Sequence, residues 1–187
     1  MVNRAARAKP PPDVHRILRI VPINDLNGPM SALTFEMMMG YALTDPSKPI
    51  YLAIRSSGGD VFEAIALVNV IRDVQAALSP GIPIVGMVQS HALSGGSLIL
   101  QACAVRYATP TSILMVHGIS QRMLGLDETN AKRNLSLLQQ LRGTFVDLYS
   151  ARSLKSRNYW DKLMKTDTRT YFTAQEALEV GLLDEIR

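Results

Sequence analysis

Three short stretches of this sequence hold the residues best suited to chemistry. "SHALSGGSLIL", residues 90–100, sets Ser94 ahead of Gly95, Gly96 and an apolar run. A serine hydroxyl attacks a carbonyl when a base takes its proton and donors stabilise the oxyanion that forms. The glycines allow close backbone approach, and a helix starting there would aim unpaired amides and its positive end at the reacting atom. Taken alone, Ser-Gly-Gly is also ordinary turn material. With Ala92 and Leu93 before the serine, it is not a G-x-S-x-G elbow. "SSGGD", residues 56–60, offers the amides of Gly58 and Gly59 as oxyanion donors beside that of Gly95. "SILMVHG" delivers His117 at the end of an apolar strand pattern, followed by Gly118, and imidazole is the commonest general base. Of the other histidines, His91 shares the turn of Ser94 and is expected to line the substrate cleft, while His15 falls in the first strand region as a structural or exposed residue.

These groups act together only if the fold brings them to one edge. "IYLAIR" is a β-branched and aromatic strand pattern running into "SSGGD", and a helical spacing of Val61, Ile65, Val68 and Ile71 follows. "IPIVGMVQ", "SHALSGG" and "SLILQACAV" repeat the order strand, turn, helix, and "TSILMVHG" gives a third strand ending in His117. Alternation of this kind predicts parallel strands with helical crossovers, an α/β fold whose site lies at the carboxyl ends of the strands. Upstream, "RILRIVPI" predicts a first strand, and "SALTFEMMMGYAL" a helix with Ser31 as its cap. From Asp127, "DETNAKRNLSLLQQLRGTFVDLYSA" carries an apolar stripe at Leu135, Leu138, Leu141, Phe145 and Leu148. About 25 residues at roughly 1.5 Å each give a rod of roughly 37 Å, longer than a domain of this size needs. The helix is therefore expected to project and pack against another subunit; the alternative is a core helix over the sheet, divided at Gly143. "TYFTAQEALEVGLLDEI" predicts a strand, a helix capped by Thr173 with Glu176 three residues on, Gly181 at its end, and a last strand.

At 187 residues and 47% hydrophobic, the chain suits one packed domain rather than two. Pro10, Pro11 and Pro12 mark the end of a flexible tail over residues 1–15, leaving residues 16–187 as the domain. The charge of +4 is concentrated in that tail, where Arg4, Arg7 and Lys9 precede Asp13, and no basic run is interleaved with aromatics. That argues against nucleic acid. "VHRILRIV" is interrupted by His15, Arg16 and Arg19, so no signal-peptide core is expected, nor does any uninterrupted apolar run reach membrane-spanning length. The single cysteine, Cys103, in "LILQACAV", is expected to be a buried structural thiol. A cytoplasmic protein is the reading these features favour.

Together, "IYLAIRSSGGDVFEAIALVNVI", "HALSGGSLIL", "YATPTSILMVHG" and "YFTAQEALEVGLLDEI" resemble ClpP, the proteolytic subunit of the Clp protease, a serine peptidase family. The similarity keeps one order from about Arg16 to the C-terminus. It implies the ClpP/crotonase-like fold of repeated strand-turn-helix units with a projecting long helix. Carried over by motif, Ser94 matches the nucleophile, His117 the base, and Gly59 and Gly95 the oxyanion donors. Leu93 replaces the family's usual alanine, and Ser57 the proline of its S-P-G-G turn.

The acid is where the pattern departs. Alignment of "TDTRTYFTAQEA" places Arg169 at the family's aspartate, and arginine cannot accept the imidazole N–H or stabilise an imidazolium. Asp167 lies two residues earlier, on the same face of an extended segment and roughly 6.6 Å away along it. Asp167 is the expected acid; Asp161 and Asp184 are weaker candidates.

The resemblance implies hydrolysis of unfolded polypeptides through an acyl-enzyme, without a cofactor in this chain, ATP being used by a partner. It further implies a homo-oligomer of two stacked heptameric rings, a tetradecamer, fed by an AAA+ unfoldase such as a ClpX- or ClpA-like ATPase. Three alternatives stand beside it: a noncatalytic ring subunit with a degenerate triad, a phage-type head-maturation peptidase, and an acyl-CoA enzyme of the crotonase superfamily.

Overall fold

The chain alternates apolar strand runs with amphipathic helices, and in the computed structural model this alternation becomes a mostly parallel sheet covered by helices. Residues 20–119, 128–166 and 168–187 are described; the expected tail at residues 1–15 and the helix start at Asp127 lie outside them. The order is β1 (Ile20–Ile23), α1 (Met30–Thr44), β2 (Ile50–Ser56), α2 (Val61–Ala77), β3 (Ile84–Leu93), α3 (Gly95–Ala102), β4 (Val105–Ala108), β5 (Ile113–Val116), α4 (Glu128–Arg152), α5 (Arg157–Met164), β6 (Thr170–Thr173), α6 (Ala174–Glu179) and β7 (Glu185–Ile186).

The sheet runs β1-β2-β3-β4-β7, with β5 on β3 and β6 on β5. All pairings are parallel except β5 with β6. The ten-residue β3 organises this layout: Val85–Val88 pair with β4, and His91–Leu93 pair with β5. Because β1, β2, β3 and β5 are parallel, their carboxyl ends share one edge. The chain segments holding Leu26, Gly58–Gly59, Ser94 and His117 all leave from that edge. The α/β fold expected from the sequence is thus the one observed.

Several local readings need correction. Helix α1 starts at Met30 with Pro29 at its N-cap, so Ser31 is inside the helix and not its cap. The Ser31 amide instead donates to the Glu63 carboxylate on α2. "SHAL" is not turn but the last part of β3, which narrows the turn to Ser94. Helix α3 stops at Ala102, and Val105, expected within it, opens β4. By contrast, Thr173 and Glu176 form the expected reciprocal capping box, and Gly181 adopts φ 79° just past α6.

Helix α4 packs on the core with one half only. It is unbroken through Gly143. Its second half buries Leu141, Phe145, Val146, Leu148 and Tyr149 in the core, whereas Leu135 in the first half is 56% exposed. Tyr149 stacks on Trp160 of α5 at 5.0 Å. Cys103 is fully buried, and burial pushes its thiol up to about 12, so it stays protonated and inert.

Candidate active site

Ser94 is the only non-glycine residue with positive φ among those described, at φ 54° and ψ −121°. A side chain in this region costs about 1–3 kcal/mol and persists where surrounding structure fixes it. Here the fixing contacts are visible. Ser94 N donates to Met115 O on β5 at 2.9 Å, and Ser94 O accepts from Ser97 N and Leu98 N at 3.0 and 3.2 Å. Ser97 Oγ adds bonds to Ser94 O and Met115 O at 2.8 and 3.0 Å. The hydroxyl is thereby held between the end of β3 and the start of α3. Gly95 and Gly96 precede the first amides bonded within the helix, leaving them at its positive end.

His117 follows β5 directly, and the pairing of Leu93 with Met115 sets it beside the turn. Its Nε2 lies 2.8 Å from Ser94 Oγ, hydrogen-bonding distance for proton transfer. The next residue is anchored too, Gly118 N donating to Thr166 O at 3.1 Å.

The third component is the turn after β2. Gly58 and Gly59 have φ of 95° and 143°, conformations that other residues rarely adopt. A Cβ on Gly58 would stand 2.7 Å from Ser94 Cβ and 3.1 Å from Gly95 N. Leu26 clamps the turn, its N–H donating to Gly58 O at 2.8 Å and its carbonyl accepting from Asp60 N at 2.9 Å. Asp60 then caps α2, accepting from Phe62 N and Glu63 N at 2.9 Å each. Gly59, Ser94, Gly95 and His117 line one cleft of about 200 Å³, closed on its apolar side by Phe145, Tyr149 and Met164. A hydroxyl, an imidazole and glycine amides are what acyl transfer requires.

A family model described as Clp protease matches residues 15–187. The chain belongs to the Clp protease family. Among its relatives, the ATP-dependent Clp protease proteolytic subunit 1 of Protochlamydia amoebophila is 35% identical over 152 residues, covering 77% of this chain and 68% of the relative. Subunit 1 of Chlamydia abortus is 30% identical over 181 residues, covering 93% and 86%. Subunit 3 of Parasynechococcus marenigrum is 32% identical over 149 residues, covering 76% and 68%. The resemblance drawn from spaced motifs is therefore correct at the level of family and fold, and the family is one of serine-type peptidases. No helix among the described residues is long and apolar enough to cross a membrane.

Asp167 lies outside the described residues. Arg169 is exposed and precedes Thr170, the residue paired with Val116, so its backbone adjoins the end of β5. Asp161 pairs with Arg142 at 3.2 Å. Asp184 is taken by Arg106, with Oδ1 2.6 Å from Nη2. His91 is corrected in place: it sits in β3, not in the turn, and is bonded to Ser90 and Ser57.

Sequence reading missed Leu26, Ser97 and Tyr149. Leu26 sat within "NDLNGP", legible only as a turn, and its bridge to Gly59 spans the crossover. Tyr149 carries a signal, a phenol on the apolar stripe of α4 that needs a buried partner. That partner is Ser97 Oγ at 2.6 Å.

Proposed function

We propose that this chain is a serine endopeptidase, the proteolytic subunit of an ATP-dependent Clp-type protease, cleaving unfolded polypeptides through an acyl-enzyme. The observation that carries the reading is the 2.8 Å approach of His117 Nε2 to a Ser94 hydroxyl held at positive φ. His117 takes the Ser94 proton as Oγ attacks the peptide carbonyl. The oxyanion is met by the amides of Gly59 and Gly95, and His117 returns the proton to the departing amine. Water then attacks the ester by the same route, regenerating the serine. Asp167 orients the imidazole in this scheme. Its neighbour Thr166 supports the assignment, because the Thr166 carbonyl already bonds Gly118, one residue beyond His117.

The names of the relatives and the exposed first half of α4 support assembly of this chain with other subunits; two stacked heptameric rings that receive chains from an AAA+ unfoldase are the arrangement the resemblance implies. Arg169 at the family's acid position favours a second reading, a subunit that assembles without cleaving.

Intact-protein mass after a fluorophosphonate serine probe separates the two. The peptidase reading expects one adduct on wild type, none on Ser94→Ala, and labelling slowed on the order of 10⁴-fold in Asp167→Asn. Wild type that takes no label selects the noncatalytic subunit. Normal labelling of Asp167→Asn removes Asp167 from the scheme, and peptidase activity surviving in Ser94→Ala removes the serine mechanism.

A further inference from the structure

Ser57 stands where the S-P-G-G turn of the resembled family has proline. Proline would fix φ and supply no N–H, whereas serine brings an amide and a hydroxyl, and both are engaged here. Ser57 N donates to Asp25 Oδ1 at 2.6 Å, and Ser57 Oγ lies 3.3 Å from His91 Nε2. From the other side, Ser90 Oγ lies 2.8 Å from His91 Nδ1. A neutral imidazole has one donor and one acceptor, so the chain Ser90–His91–Ser57 is satisfied in either tautomer, the hydroxyls turning to suit.

These bonds reach in two directions. Asp25 follows β1 and His91 lies in β3, the two strands flanking β2. Ser57 is therefore tied to both neighbours of the strand it leaves. The next residue, Gly58, has no room to spare beside the serine: a Cβ there would come within 2.7 Å of Ser94 Cβ, 3.0 Å of Leu93 O and 3.1 Å of Gly95 N. Displacement of Ser57 must then shift the turn relative to the nucleophile, because no slack separates them.

We infer that Asp25, Ser57 and His91 form a polar strap that positions the Gly58–Gly59 turn against Ser94, replacing the rigidity a proline would give. The inference rests on Gly59 acting as an oxyanion donor. All three are positioning residues, acting on the reaction only through the turn.

The experiment pairs two readouts on the full-length assembled protein: hydrogen-exchange mass spectrometry of peptides covering Leu26 and Gly58–Asp60, and the rate of Ser94 acylation with its KM-against-kcat split on a short peptide. Deleting an oxyanion donor costs about 10²–10³ in rate; loosening one is expected to cost about tenfold. Asp25→Ala and His91→Ala should each speed exchange of these peptides and lower kcat about tenfold with KM unchanged, and His91→Gln should restore both readouts. In a Ser57→Pro background neither alanine change should matter. If Ser57→Pro does not fold, the double variant Ser57→Ala/His91→Ala decides instead, since it should exchange no faster than His91→Ala.

Unchanged exchange in both single variants, or fully additive effects in the double, overturns the strap. Wild type that takes no serine label refutes the peptidase reading, and the exchange data still decide the strap by themselves.

Discussion

Ser97 and Tyr149 form a buried pair whose deletion has unequal consequences for its two members. Ser97 is fully buried and Tyr149 is 1% exposed. The two hydroxyls lie 2.6 Å apart, and Ser97 Oγ also reaches Ser94 O and Met115 O. A serine hydroxyl has one proton, so it donates to a carbonyl while accepting from the phenol. Burial pushes the Tyr149 phenol pKa well up, so it remains a donor. Ser97→Ala strands that donor and removes a bond to the Ser94 carbonyl. A stranded buried group costs about 1–3 kcal/mol, and the lost bond about 1 kcal/mol, giving about 3 kcal/mol in all. Tyr149→Phe removes the donor together with its need, leaving Ser97 two carbonyls, and should cost about 1 kcal/mol. The double variant strands nothing on Tyr149 and should be more stable than Ser97→Ala alone by about 1 kcal/mol. Urea unfolding at fixed protein concentration checks this, followed by fluorescence of Trp160, the sole tryptophan, which stacks on residue 149. Additive costs, with the double variant least stable, would show that Ser97 and Tyr149 are not coupled in this way.

Other perturbations probe the frame, the turn and the assembly. Arg106, 5% exposed, donates to Asp184, Gln101 and the carbonyls of Arg152 and Gly181. Arg106→Met should cost about 3 kcal/mol, at the low end for a buried pair because Asp184 is 41% exposed. Burial of Asp184 works against its ionisation, but hydrogen bonds and charge from Arg106 outweigh it and hold the carboxyl below its ordinary 3.8. Its stabilisation is therefore present above pH 3.8 and lost as pH falls through the lower folded value; thermal scans of wild type and Asp184→Asn should converge there. Gly58→Ala places a Cβ 2.7 Å from Ser94 Cβ at φ 95°, and the turn must move; acylation of Ser94 should fall at least about 10²-fold, whereas a change under about threefold would contradict the placement. Leu135→Glu, on the exposed half of α4, should shift sedimentation toward smaller species with little change in protomer stability, and an unaltered profile would count against assembly through that half.

The sequence was most informative where a residue's local needs match its role. Glycines before apolar helices marked both turns, and an apolar run ending in His-Gly marked the strand end that meets Ser94. Parallel order then follows from alternation, which brings these ends to one edge. The failures have a common cause in competition over short distances. β4 starts three residues after α3, with no breaker between them, so the helical pattern hid the strand. α5, "RNYWDKLM", is too polar to show its core anchor Trp160 except through partners on other elements. Ser57 reaches Asp25 and His91 across 32 and 34 residues, and Ser97 reaches Tyr149 across 52. Contacts of that span are set by topology, and no local periodicity encodes them.

A peptide chloromethyl ketone, a reagent with two reactive atoms, tests whether Ser94 and His117 act together on one carbonyl. Ser94 Oγ adds to its carbonyl to form a hemiketal, and His117 nitrogen displaces chloride to form a carbon–nitrogen bond. With Nε2 2.8 Å from Oγ, both should react with one molecule. The expected result is a chloride-displaced adduct mapped to His117 by peptide mass spectrometry, abolished in Ser94→Ala, and a crystal structure of the adduct with its carbonyl carbon bonded to Ser94. Modification at neither residue, or at His117 equally well in Ser94→Ala, would contradict it.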